Sequence, residues 1–348
     1  MKQYRYFALV LALILAWGLL LTGCGRQKSE MPEESAKPGA SETVKNAMEE
    51  ATKQIDHDVT FGMPVRSFSG LFYVELMKGA QRAVDEMNEK TGRSDEIIFM
   101  DDNNELSREL SNVEDLLNME IDVMVLVCMD PSGSVPAFEK CIAKKDMITV
   151  IVDASCEGSE KCDAVIVSNN YEAGRLEMEM LAKGLGGKGN IIALSDSTNS
   201  NGAVRLQGMQ DELKNWPDIN VIEIKDIRSG VDAAMETVTS MLNAYPGQID
   251  GLWNFSDTPA QGSVSAVEAA GLLDDILISG VDGSVVAKEL IQQGKQYGSA
   301  AQFPVELGYQ GVMTAYDLLV GVKPEEQTVY VDVAWIGQDN VKDYIEEN

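Results

Sequence analysis

Residues 122–153 read DVMVLVCMDPSGSVPAFEKCIAKKDMITVIVD, and their pattern sets the fold class. Two apolar runs, DVMVLVCMD and MITVIVD, carry no alternation of polar and apolar side chains, and a segment of helical pattern containing Cys141 lies between them. A strand that is apolar on both faces has to be covered on both faces, which is the situation inside a parallel sheet flanked by helices. The unit repeats outward in both directions. VTFGMPV and EIIFMDD precede it, and AVIVSNN, NIIALSD, NVIEIKD, GLWNFSD, ILISGVDG, YGSAAQF and VYVDVAWI follow. Amphipathic helical segments separate these runs. In the first of them Leu76, Ala80, Ala83 and Met87 share one face, with Lys78, Arg82 and Glu86 among the polar positions. The alternation predicts a doubly wound α/β architecture. Roughly eleven strands are more than one such sheet holds comfortably, so two lobes side by side, with a cleft between them, are expected. Ligands of open parallel sheets sit beyond the carboxyl ends of the strands. Here those ends carry Asp101, Asp130, Asp153, Asn169, Asp196, Asp257 and Asp282. Singly each reads as a helix cap or turn former; as a set, several should face the cleft.

The amino-terminal segment has a different character. Lys2 and Arg5 precede the apolar run FALVLALILAWGLLL, and Leu21-Thr22-Gly23-Cys24 closes it, the form of a secretory signal peptide. The run is short against the about 20 apolar residues of a membrane span. Small residues directly before a cysteine resemble a bacterial lipobox, which implies that Cys24 carries diacylglycerol and becomes the mature amino terminus. Residues 24–58 are rich in Glu, Lys, Ser, Pro and Ala and poor in large apolar side chains. Such a segment cannot bury enough surface to offset its ordering entropy and is expected to be an acidic tether. The chain has 28 basic and 56 acidic residues. Loss of residues 1–23 removes Lys2 and Arg5 and leaves a formal charge of −30. That charge repels phosphate backbones and anionic headgroups, which excludes nucleic acid as a partner and leaves membrane attachment to the lipid.

Catalytic signatures are missing. The sequence contains no GxSxG elbow, no HExxH and no GxxxxGK[ST] loop, so no catalytic residues are assigned and no enzyme is expected. Gly184-Leu185-Gly186-Gly187-Lys188-Gly189 matches GxGxxG, but it follows a helical segment and precedes a strand, the reverse of the dinucleotide-binding context. It reads as a helix cap and turn. Neither a cofactor nor a metal site is expected, and the only histidine, His57, lies far from the cysteines. Cys128 and Cys141 fall in apolar patterns and read as buried thiols. Cys156 and Cys162 bracket the polar loop CEGSEKC, where an oxidising compartment would permit a loop-stapling disulfide.

Several motifs, in their order along the chain, resemble the ribose/galactose type of periplasmic solute-binding protein from about Val59 onward. FYVELMKGAQRAVDEM resembles the family's first helix, VIVDAS its fourth strand end, GAVRLQGM its RxxGF pattern, SGVDGS its strand-end Asp, and AAQFPVELGYQG the Gln beside its hinge. The resemblance implies that Asp153, Arg205, Asp282 and Gln302 make polar contacts with a ligand, and that Phe72 and Tyr73 pack on its ring. Carboxylate and guanidinium groups suit hydroxyls, and aromatic faces suit the C–H faces of a sugar. The sequence departs from the ribose pattern at Gly70, Ala154 and Ser256. Arg66 and Phe68 lie where they could fill the vacated space, whereas Trp253 sits inside an apolar run and reads as core. The family implies a three-crossing hinge, with one lobe from residues 59–167 plus 303–332 and the other from 168–302 plus 333–348. The expected protein is therefore a monomeric, lipid-anchored, extracytoplasmic binding protein. It would capture a small polyhydroxylated, sugar-like ligand and deliver it to an ABC permease and its ATPase. The alternative is a ligand-presenting sensor for a chemoreceptor or kinase. A repressor sharing this lobe pair would need a helix-turn-helix where the signal peptide and tether stand.

Overall fold

The computed structural model describes residues 55–197, 200–227 and 230–345. Cys24, the apolar leader and nearly all of the tether lie outside them. In chain order the elements are β1 (Thr60–Val65), α1 (Leu71–Thr91), β2 (Glu96–Asp101), α2 (Leu106–Asn118), β3 (Val123–Leu126), α3 (Val135–Ile142), β4 (Ile148–Val152) and β5 (Ala164–Ser168). They continue with α4 (Asn170–Gly184), β6 (Lys188–Ser195), α5 (Ser200–Leu213), β7 (Asp218–Asp226), α6 (Val231–Ala244), β8 (Gly251–Asn254) and α7 (Asp257–Ala269). The last are β9 (Leu277–Asp282), α8 (Val285–Gln292), β10 (Gly298–Ala301), α9 (Pro304–Leu319), β11 (Thr328–Val331) and β12 (Ala334–Gly337).

These strands form two sheets of the same winding, ordered β2-β1-β3-β4-β5-β11 and β7-β6-β8-β9-β10-β12. Every pairing is parallel except β10 with β12. The two-lobed α/β architecture expected from the pattern is therefore the one observed. In β3, Val123 and Val125 face the cluster built on α1 and α9, while Met124 and Leu126 face the one built on α2 and α3. In β6, Ile191 and Ala193 pack with α4 and α5, while Ile192 and Leu194 pack with α6 and α7. Two helical layers per sheet explain why these strands carry no polar face.

The chain crosses between sheets three times. It leaves the first sheet after β5, returns after β10 so that α9 packs against α1, β4 and β5, and leaves again between β11 and β12. The run VYVDVAWI, legible in sequence as one strand, is thus two short strands in different sheets. Unbroken β-rich composition carries no mark of such a break. The glycine-rich turn after α4 is a cap: Gly187 N–H donates to Ala182 O at 2.9 Å and Gly186 and Gly187 have positive φ. Trp253 is fully buried in the core of the second lobe.

Candidate functional site

In both sheets the winding reverses where the second half begins, between β1 and β3 and between β6 and β8. The carboxyl-end loops near those points are where an open parallel sheet can hold a ligand. From the first lobe they bring Arg66 after β1 and Asp153 after β4. From the second they bring the α5 side chain of Arg205, Asp282 at the end of β9, and Gln302 just past β10.

The two carboxylates sit on unusual backbone. Asp153 has φ +69°, and Ala154 N–H donates back to Val152 O across it at 2.9 Å, closing a three-residue turn. Such turns are rare and strained. Asp282 has φ +125°, a conformation that L-residues seldom adopt. Sequence pattern contains no sign of either. Strain of this kind persists where surrounding contacts impose it, and it clusters at ligand sites.

Arg205 is almost completely buried and held on three sides. Its Nε donates to Asn170 Oδ1 at 2.8 Å, and its Nη1 donates to Phe255 O at 2.8 Å and to Asp282 Oδ1 at 3.3 Å. Gln302 Nε2 donates to the same Asp282 oxygen at 2.6 Å, while its own Oε1 is buried without a partner among the described residues. Burial pushes the Asp282 carboxyl above its ordinary pKa, against the pull of Arg205. Asp153 is buried and accepts no side-chain hydrogen bond among the described residues. Burial raises it to about 7, opposed by the nearby charge of Arg205 and reinforced by that of Asp282. A desolvated carboxyl with no donor is costly unless protonated, and hydroxyls of a ligand would supply the missing donors.

The aromatic pair lies at the start of α1. The rings of Phe72 and Tyr73 meet edge to face, 5.4 Å between centroids. The Tyr73 hydroxyl hydrogen-bonds with Arg66, and burial followed by the charge of Asp153 holds it well above the usual phenol range. A side chain at Gly70 would put its Cβ 3.0 Å from the Tyr73 ring, so the absence of one there gives this ring its room. Phe68 is different: it is 43% exposed, on a loop fixed by Phe68 N–H to Asp101 Oδ1 at 3.3 Å, and belongs to the rim.

The remaining strand-end residues divide as the single-residue expectation had it. Asn169 caps α4 through Glu172 N–H at 3.1 Å, and Asp130 accepts from Ser132 and Gly133 in a turn. Asp257 does more. It accepts from Ser284 N–H and Ser299 Oγ, both at 2.8 Å, and donates its own N–H to Asp282, bracing the Asp282 turn from below. Asp257 is one of the strand-end residues expected near the cleft, whereas Asn170 is a support that the sequence did not single out. Their signal, a polar residue just beyond a strand, is shared with every ordinary cap. Ser256 heads α7 with no side-chain cap bond.

The loop disulfide expected between Cys156 and Cys162 is not formed in the structure, where all four described cysteines are free thiols. The Cys162 thiol donates to Ala164 O at 3.1 Å, and the Cys156 thiol interacts with Cys128. The loop is closed instead by Ser159, whose Oγ accepts from Cys156 N–H at 3.0 Å, and by Gln327 Nε2 donating to Cys162 O at 2.7 Å. Cys128 and Cys141 are buried, as their apolar surroundings predicted.

Comparison with known proteins adds two relatives, two similar structures and a family match. The chain is 29% identical over 253 residues to a xylitol-binding protein of Mycolicibacterium smegmatis, covering 72% of this chain and 71% of that one. It is 26% identical over 307 residues to a ribose import binding protein of Bacillus subtilis, covering 88% and 92%. In fold it is similar to an ABC transporter solute-binding protein from Bacillus halodurans with bound myo-inositol. The TM-score is 0.73 at 20% identity, over 83% of this chain and 97% of that one. A second similar structure is a periplasmic solute-binding protein from Actinobacillus succinogenes with bound D-allose, TM-score 0.73 at 23% identity, over 82% and 100%. The model of the periplasmic binding protein domain matches residues 61–323, and the chain belongs to that family.

Proposed function

We propose that this protein is the extracytoplasmic solute-binding component of an ABC importer, and that it captures a sugar or sugar-like polyol between its lobes. The observation that carries the reading is the convergence of Asp153 and Tyr73 from one lobe with Arg205, Asp282 and Gln302 from the other. The buried carboxyl of Asp153 and the unpartnered Gln302 Oε1 are short of donors, and a polyol offers several. Ring C–H groups would pack on Phe72 and Tyr73. Binding proteins for xylitol and ribose among the relatives support this ligand class. Ligand that touches both lobes favours the closed arrangement by its differential affinity, and a permease could then read closure.

The direct test is a thermal-shift screen of sugars, polyols, sugar acids and nucleosides. A true ligand at 100 times its Kd adds about 2.7 kcal/mol of stability. Stabilisation by one or a few polyols is expected; a response confined to nucleosides, or none across the polyol set, overturns the ligand class. The LTGC run supports attachment through Cys24. Cys24→Ser should release the protein from the membrane fraction, and a variant that still fractionates there as a lipid-labelled protein defeats the anchor.

A further inference from the structure

Cys128 lies two residues beyond β3 and Cys156 three residues beyond Asp153, so both sit at the carboxyl ends of neighbouring strands β3 and β4. The backbone already joins the two segments, since Cys128 N–H donates to Ala154 O at 3.2 Å. Ala154 is the residue whose N–H closes the strained turn at Asp153. Both thiols belong to the same apolar cluster, are 2% and 6% exposed, and interact with each other. The Ser159 hydroxyl, 3.9 Å from the Cys156 sulfur, holds that side of the loop in place.

We propose that Cys128 and Cys156 form a disulfide in the exported protein, clamping the turn that carries Asp153 to the end of β3. Cys156 lies in the loop after β4 and Cys128 at the end of β3, so while the lobe folds the loop thiol is the one that meets an external disulfide first. The Cys156 thiolate attacks an external disulfide, that of a thiol oxidoreductase or of oxidised glutathione, and expels one of its thiols. The Cys128 thiolate then attacks the Cys156 sulfur of the mixed disulfide and expels the second. The pair loses two electrons and two protons, and the external disulfide is reduced to two thiols. Because both sulfurs are buried in the folded lobe, the bond is made during folding. The proposal rests on the export reading only for the source of oxidant, and on the Asp153 site only for its consequence.

The full chain, exported in a bacterial host with a working oxidoreductase, is alkylated during denaturation and peptide-mapped without reductant. A Cys128–Cys156 linked pair is expected, with Cys141 and Cys162 alkylated. The purified chain refolded in a glutathione redox series should give the same pair, which keeps the test independent of export. Reduction should lower the thermal midpoint of the parent by several degrees and leave that of Cys128→Ser unmoved. Four alkylated thiols in both preparations, or a link from Cys156 to Cys162, overturns the proposal.

Discussion

Asp282 illustrates how much one side chain of this site is asked to do. Its Oδ1 receives Gln302 at 2.6 Å and Arg205 at 3.3 Å, and its backbone is held at φ +125° by the contacts of Asp257 beneath it. Asp282→Asn keeps the shape and tolerates the backbone, so the apo fold should survive. A ligand hydroxyl that donated to the carboxylate would lose a charged acceptor. Calorimetry with the identified ligand should show a loss of about 1.5–3 kcal/mol, one to two decades in Kd. Unchanged affinity would remove Asp282 from the site. Arg205 calls for a different expectation. It bonds Asn170 and Phe255 O as well as Asp282, so Arg205→Ala should lower stability in addition to affinity. The comparison variant is Lys183→Ala, an exposed partner of Glu179, for which neither quantity should move. Arg205 and Asp282 were legible because short motifs surround them. Their shared oxygen, and Asn170 behind the guanidinium, were not, because hydrogen-bond geometry across some thirty-five or more residues of chain leaves no local pattern.

At the scale of helices, the two lobes are built on the same close contact. α1 packs on α9 and α4 on α5, each pair meeting at glycine. A Cβ at Gly79 would stand 1.9 Å from Val305 O, and one at Gly174 1.9 Å from Arg205 O. The second contact ties packing to the site, since the backbone that Gly174 touches is that of the cleft arginine. Gly174→Ala gains helix propensity of about 1 kcal/mol but forces the helices apart, and overpacking of that kind costs about 1–3 kcal/mol or more. The expected result is a lower thermal midpoint together with weaker ligand binding, since Arg205 must move with its helix. A variant more stable than the parent would show that the pair relaxes without strain. In sequence these glycines sat inside good helical patterns and looked merely unfavourable. The helices themselves were readable from apolar periodicity, because burial on one face is a local property. Which helix lies against which is set by topology, and so is the break of VYVDVAWI into strands of two sheets.

Over the whole molecule, the buried carboxyls make folding sensitive to pH in a way that net charge alone does not give. Burial raises Asp102, Asp153 and Asp257 to about 7 and Asp317 to about 6. It also raises Glu109 and Glu177. Unfolded, these groups titrate near pH 4. Between about pH 4 and 7 the native state therefore binds more protons than the unfolded state, and stability falls as pH rises through that window. Asp95 works in the opposite sense. The bonds from Arg93 and Tyr316 overcome its burial and hold it low, so its contribution is lost in acid, below about pH 4. The apo protein should consequently be most stable near pH 4 and lose on the order of 2 kcal/mol or more by pH 8, read as thermal midpoints across that range. Two additions separate the contributors. Asp102 is fully buried, with Oδ1 accepting from Asn112 at 2.8 Å and Oδ2 unpartnered among the described residues, and it is not itself one of the proposed contacts. Asp102→Asn should raise the midpoint at pH 8, leave it nearly unchanged at pH 4, and flatten the profile with or without ligand. Saturating ligand should flatten it by another route, because hydroxyls donated to Asp153 and Asp282 stabilise their ionised forms and bring both pKa values down. An apo profile that rises from pH 5 to pH 8 would mean that these carboxyls are ionised and solvated in the native state, and the dry interlobe site would fail with them.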